Sequence, residues 1–337
     1  MKTILLFLSK ISLTGLCLWW AFSQVEFDHL IFSNLQELKI SWLVGGIFLA
    51  GFSIFLQSLR FYFFLRAQNL SVNMLRSYEL TLIDSLFSLA SFGGLGGDAA
   101  RMILLMREHP NRKLVISMAV MADHLAGMVS LAVLFFIVSA SRFDALTDQS
   151  VLGKGVIQFT WFYLGGGLFM VMLIFTLASP PIHRRIHGSG RFSRWSFMKR
   201  IPEGCDVYRK NWQHAIAGLA ASFLMFIVYF SSYFCGLRAV GGTSSYGDVV
   251  TAMPVIDAIS GLPISVAGVG VREKLFVVLM RDLANVRPEI AVMASLAGFS
   301  CNAIWALIGA FVFVKKRDRV NVAEFKDSLD ATSERGH

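Results

Sequence analysis

The chain is poor in charge: 16% of its 337 residues are Asp, Glu, Lys or Arg, against 55% hydrophobic. So little charge over such long apolar runs excludes an ordinary water-soluble globule. Cysteine is scarce. Cys17, Cys205, Cys235 and Cys301 are scattered without a Cys-x-x-Cys, which suggests neither a metal site nor a disulfide framework. There is no Walker loop, no His-Glu-x-x-His, no Gly-x-Ser-x-Gly and no Asp-x-Asp for a metal-bound sugar nucleotide. The expectation is a protein without cofactor or metal that is not an enzyme, and any transport by it would have to be passive or driven by an ion or proton gradient.

What the chain does have is apolar runs near or above the roughly 20 residues that cross a bilayer as a helix. Residues 4–22 form the first. Ala21-Phe-Ser is a loose small-residue motif of the kind found at signal cleavage sites, whereas Trp19-Trp20 suits a membrane interface and favours a retained anchor. Residues 41–64, 114–140, 156–178, 214–236 and 290–314 give five more spans. The net charge of +9 then reads as a cytoplasmic marker rather than as nucleic-acid binding. Arg60, Arg66 and Arg76 mark one cytoplasmic end. The loop carrying Arg184, Arg185, Arg191, Arg194, Lys199 and Arg200 marks another, and Lys315-Lys-Arg317 places the C-terminus inside along with the N-terminus. Arg191-Phe-Ser-Arg-Trp-Ser-Phe-Met-Lys-Arg200 interleaves bases with aromatics, as a loop lying on anionic headgroups would, or as a plain cytoplasmic loop obeying the charge bias.

Two apolar segments, 78–92 and 249–263, are too short to span and end in glycine-rich turns. These turns are the centre of the chain, because the chain contains the element twice. The first is Ser91-Phe-Gly-Gly-Leu-Gly-Gly-Asp-Ala-Ala-Arg101. The second is Gly261-Leu-Pro-Ile-Ser-Val-Ala-Gly-Val-Gly-Val-Arg-Glu273. Leu65-Arg-Ala67 recurs as Leu237-Arg-Ala239, Ile83-Asp84 as Ile256-Asp257, Leu105-Met-Arg-Glu108 as Leu279-Met-Arg-Asp282, and Ala119-Val-Met-Ala122 as Ala291-Val-Met-Ala294. The shared order and spacing mark an internal repeat. The fold class is therefore an all-α polytopic membrane protein of two inverted-topology repeats, about six spans plus two re-entrant helical hairpins. One membrane domain covers residues 1–320 (repeats 1–150 and 151–320), with a polar cytoplasmic tail at 321–337. Either hairpin read as a full crossing is the alternative. Inverted repeats whose broken helices meet near the midplane are the architecture of secondary transporters.

The candidate translocation residues follow from chemistry. Ionisable groups inside a membrane are functional by default, and free N–H groups where a turn enters a helix favour anions. Arg101, Arg272 and Lys274 would face a lipid phosphate. Asp84, Asp98, Asp123, Asp257 and Glu273 would balance them or carry protons, and His124 either joins them or merely hydrogen-bonds across helices. Gly93, Gly94, Gly96, Gly97, Gly268, Gly270 and Pro263 form the hairpin turns. The opposing expectation is structural: Asp98–Arg272 and Arg101–Glu273 as ion pairs locking the repeats together.

Phe92-Gly-Gly-Leu-Gly-Gly-Asp-Ala-Ala-Arg101, Asp123-His-Leu-Ala-Gly127 and Leu262-Pro-Ile-Ser-Val-Ala-Gly-Val-Gly-Val-Arg-Glu273 resemble the signatures of the lysylphosphatidylglycerol synthase transmembrane, or flippase-like, family. The likeness covers nearly the whole chain to about Lys316; the family usually carries Arg where this chain has His124. The resemblance implies a bacterial or archaeal plasma-membrane protein that moves an anionic or zwitterionic lipid, or a lipid-linked precursor, between leaflets. It implies the membrane half alone, without lysyl transfer. Its partners would be phosphate-bearing headgroups and envelope-lipid biosynthetic enzymes, with no nucleic acid and with self-association open. The alternatives are a membrane glycosyltransferase or its accessory acting on polyprenyl-phosphate sugars, and an envelope scaffold.

Overall fold

The computed structural model describes residues 38–90, 95–147, 149–177, 206–263, 265 and 267–315. The span at 4–22, Gly93 and Gly94, the basic loop with its aromatic segment, and the tail lie outside the described residues. Every regular element described is helical. In order these are α1 (Ile40–Ala67), α2 (Met74–Ala90), α3 (Leu95–Glu108), a 3-10 turn (Pro110–Arg112), α4 (Lys113–Ser141) and the single-turn α5 (Phe143–Thr147). After it come α6 (Val151–Leu177), α7 (Trp212–Ala239), α8 (Tyr246–Ser260), α9 (Val271–Ala284) and α10 (Pro288–Lys315).

Helices α1, α4, α6, α7 and α10 are long and apolar enough to cross a membrane. They match five of the six spans read from the sequence. At 1.5 Å per residue, the 28 residues of α1 reach about 42 Å, more than the roughly 30 Å hydrocarbon core. Lipid replaces water around them, which is why Phe48, Phe162, Phe169 and Phe311 stand exposed.

Local chemistry sets the ends. Ser245 accepts a bond from the backbone N–H of Asp248 at 3.2 Å, and the Asp248 carboxylate accepts from the Ser245 N–H at 2.9 Å, a reciprocal cap for α8. Asn285 closes α9 in the left-handed region at φ 51°, and Pro288 opens α10 three residues later.

Helices α1 and α7 pack together most extensively, and they run antiparallel. The Lys39 N–H at the head of α1 donates to the Ala239 carbonyl at the foot of α7 (3.0 Å). At the other end Asn211 Nδ2 donates to the Ala67 carbonyl (2.7 Å). Elsewhere small residues let helices touch, as in membrane bundles generally: Gly236 of α7 lies against the backbone of Gly298 in α10, and Gly51 of α1 takes the Trp305 indole. The buried Cys235 and Cys301 are free thiols.

The interior falls into two main apolar clusters. One gathers Phe61, Leu65, Leu80, Ile83 and Leu105 around α2 and α3. The other gathers Phe230, Tyr233, Val255, Phe276 and Met280 around α8 and α9. Each pair of short helices thus has its own packing, and a cavity lies between the two.

Candidate functional site

The cavity encloses about 450 Å³, within the usual range for ligand sites. Its wall is drawn from both clusters: Arg60, Asp84, Asp98, Arg101 and His124 on one side, Tyr229, Asp257, Arg272, Phe299 and Asn302 on the other. It reaches deep into the bundle. Asp123, just behind the wall, is ten residues into α4, about 15 Å from its start.

On the first side, charges are tightly matched. Asp123, fully buried, accepts from Arg60 Nε at 2.7 Å and Nη2 at 3.1 Å, and from Arg101 Nη2 at 2.7 Å. Arg101 also bonds Asp98, one helical turn before it on α3, and its Nε stands 3.9 Å from Asp84. The Arg101 guanidinium lies over the Phe61 ring, 4.4 Å from the centroid. Gln57 Nε2 donates to Asp84 at 3.2 Å, and His124 Nδ1 sits 2.8 Å from Asp98.

The second side is built differently. Arg272 is 8% exposed. Its Nη2 donates to the Ala267 carbonyl at 3.2 Å, and the guanidinium lies 5.1 Å from the centre of Phe299. Its Nε and Nη1 are buried without a hydrogen-bond partner, and among the described residues no carboxylate lies within 4.0 Å of it. Asp257 accepts instead from the Tyr229 hydroxyl at 3.4 Å.

The family model for the lysylphosphatidylglycerol synthase TM region matches residues 7–309. The chain belongs to this family. No curated protein matches it significantly. Five membrane-length helices and this membership make it a multi-pass membrane protein of a lipid-related family.

Most of the residues expected at the site meet there. The structure brings Asp84, Asp98, Arg101, His124, Asp257 and Arg272 to one cavity, with Asp123 directly behind it. Glu273 does not line it. Fully buried, it accepts from the Gly270 N–H at 2.6 Å and from Ser295 Oγ at 3.1 Å, and so caps α9. Lys274 is also buried away from the wall. The expected cross-pairs Asp98–Arg272 and Arg101–Glu273 do not form, because Arg101 satisfies Asp98 from the next turn of the same helix and Gly270 satisfies Glu273.

The glycines divide as well. Gly268 (φ 74°) and Gly270 (φ 85°) do make the turn into α9 in a conformation that side chains rarely adopt, and Pro263 lies exposed ahead of them. Gly96 and Gly97 belong to the first turn of α3 rather than to a loop. Gly97 is needed for another reason: a Cβ there would run into Asp84 and Ser88 of α2.

The residue that sequence reasoning missed is Arg60. It counts as a flanking cytoplasmic charge when its span is ended at Phe64, but α1 continues to Ala67 and buries it at 5% exposure. The signal was an arginine inside an apolar run, which is costly without a partner.

Proposed function

We propose that the protein moves a phosphate-bearing lipid headgroup between leaflets, binding it in this cavity while the tails stay in the bilayer. Arg272 carries the reading. A buried guanidinium that no carboxylate of the described residues reaches within 4.0 Å, with Nε and Nη1 unpartnered, is an unfilled site for charge-assisted hydrogen bonds to a phosphate. The surrounding charge restricts the headgroup further. Arg60, Arg101 and Arg272 stand against Asp84, Asp98, Asp123 and Asp257, so with every acid counted as ionised the formal balance is minus one with His124 neutral and zero with His124 protonated. Such a site disfavours a polyphosphate and suits a zwitterion, its phosphate on Arg272 and its cation toward Asp98, the more exposed acid of the cluster.

The architecture supports transport by alternating access. Helices α1 to α4 have 28, 17, 14 and 29 residues; α7 to α10 have 28, 15, 14 and 28. The corresponding helices α1 and α7 are antiparallel. We read these as two inverted repeats, each with a re-entrant pair of short helices, as in secondary transporters.

The test is headgroup movement in proteoliposomes, followed with tail-labelled fluorescent phosphatidylethanolamine and phosphatidylglycerol. Replacing Arg272 with Gln is expected to slow transport on the order of ten- to hundredfold, the worth of one charged hydrogen bond, with folded protein still in the membrane. Equal rates for the variant and the wild type would refute the site.

A further inference from the structure

We propose that the cavity exchanges a proton for the cationic part of the headgroup, with His124 as the proton carrier and Asp98 as the partner that the proton and headgroup share. This rests on the translocation reading and names what couples to it.

Asp98 has two partners of unequal permanence. Arg101 is 1% exposed, and Asp123 holds it as well, so it stays. His124 is different: its side chain is 46% exposed, and its Nδ1 bonds Asp98. It is the partner that a ligand can displace. Imidazole is also the side chain whose ordinary pKa, about 6.5, brings its charge change near neutral pH.

Charged groups face it from several of the helices packed around it. From α3 it faces Asp98 and Arg101, from α1 Arg60, and from α2 Asp84, with Asp123 preceding it on α4. Among the described residues α6 and α7 bring the phenols Tyr163 and Tyr229 to the cavity, and Asp257 of α8 and Arg272 of α9 lie on the far wall.

When an ammonium group reaches Asp98, it would sit beside an imidazolium of like charge. The imidazolium then gives up a proton to water from Nε2, the nitrogen not bonded to Asp98. One positive charge arrives and one leaves, so the balance of the cluster is kept. The reverse step ejects the headgroup: on an acidic face, protonation of His124 reclaims Asp98. A proton gradient thereby drives the headgroup toward the acidic side.

The experiment is calorimetric titration of the full chain in detergent with short-chain phosphatidylethanolamine, between about pH 5 and pH 8, spanning the imidazole range. It is run in two buffers of different ionisation enthalpy, so that released protons are counted. The expected result is up to about a tenfold rise in Kd per pH unit below the imidazole range, with close to one proton released per lipid. Phosphatidylglycerol, which lacks the ammonium, should show no such rise. His124→Gln, and separately His124→Asn, should flatten the dependence. Wild-type binding of phosphatidylethanolamine that is independent of pH overturns the exchange, as does a slope that persists in both variants. If neither lipid binds the wild type at any pH, the translocation reading falls and the exchange falls with it. If both bind and only the slope is missing, the exchange alone fails.

Discussion

Asp123→Asn lowers the stability of the purified protein by about 3–5 kcal/mol, the usual effect of removing one member of a buried ion pair. This side chain is the junction of the bundle. Its two oxygens receive Arg60 from α1 and Arg101 from α3, while it sits on α4 itself. Arg60 in turn reaches Ser222 on α7 at 3.2 Å. Asparagine keeps the shape and removes the charge, so two buried guanidinium groups remain with less to neutralise them. Desolvation makes that state expensive, whatever the intact pair contributes. Ser222→Ala, which deletes a single hydrogen-bond partner at the edge of the same network, should lose only about 1–3 kcal/mol. The measurement is thermal or denaturant unfolding in detergent. A stability of Asp123→Asn equal to the wild type would remove the junction from the account of what holds these helices together.

Gly236→Leu is expected to destabilise the fold by about 3 kcal/mol, the upper part of the range for overpacking. A Cβ at this position would lie 2.7 Å from the backbone nitrogen of Gly298 and 2.9 Å from the Ala294 carbonyl oxygen. Main chain cannot swing aside as a flexible side chain does, so α7 and α10 must separate. Both helices line the cavity, through Tyr229 and Phe299, so the separation also spreads the second wall. The check is an unfolding curve beside one for Gly166→Leu in α6, where a Cβ meets nothing within 4 Å. The Gly166 variant should match the wild type. Equal effects at both positions would mean that the close contact in α7 is not what the measurement senses.

Length and apolarity alone located the five described spans to within a few residues, since membrane helices must satisfy their backbones internally and so announce themselves as long apolar runs. The acids and bases of the cavity were legible for a related reason: each stands out in an apolar background. Their pairing was less so. Asp98 and Arg101 are one turn apart, and Gly270 and Glu273 have the spacing of a helix cap, so both local contacts were there to be read. The cross-repeat pairs expected instead required each group to ignore its neighbour. Arg60 with Asp123 was beyond reach for another reason. Which faces of α1 and α4 meet depends on the rotation of both helices, and no spacing within one segment records that. The unequal state of the two arginines, Arg101 beside three carboxylates and Arg272 beside none within 4.0 Å, likewise depends on which helices converge.

The Arg60–Asp123 pair differs from two others in its access to the medium. Arg60 and Asp123 are buried at the waist of the bundle, with side chains 7% and 0% exposed. Arg142 joins Asp248 at one end of α4, its side chain 39% exposed, and beyond the other end Arg76 joins Glu108, itself 36% exposed. Dissolved ions screen exposed charges over about 8 Å at physiological strength and about 3 Å at 1 M, and hardly reach buried ones. Ionic strength therefore acts on the two rims and not on the waist. Each end of the molecule is tied by a contact that the surrounding solution can loosen, around a centre that it cannot.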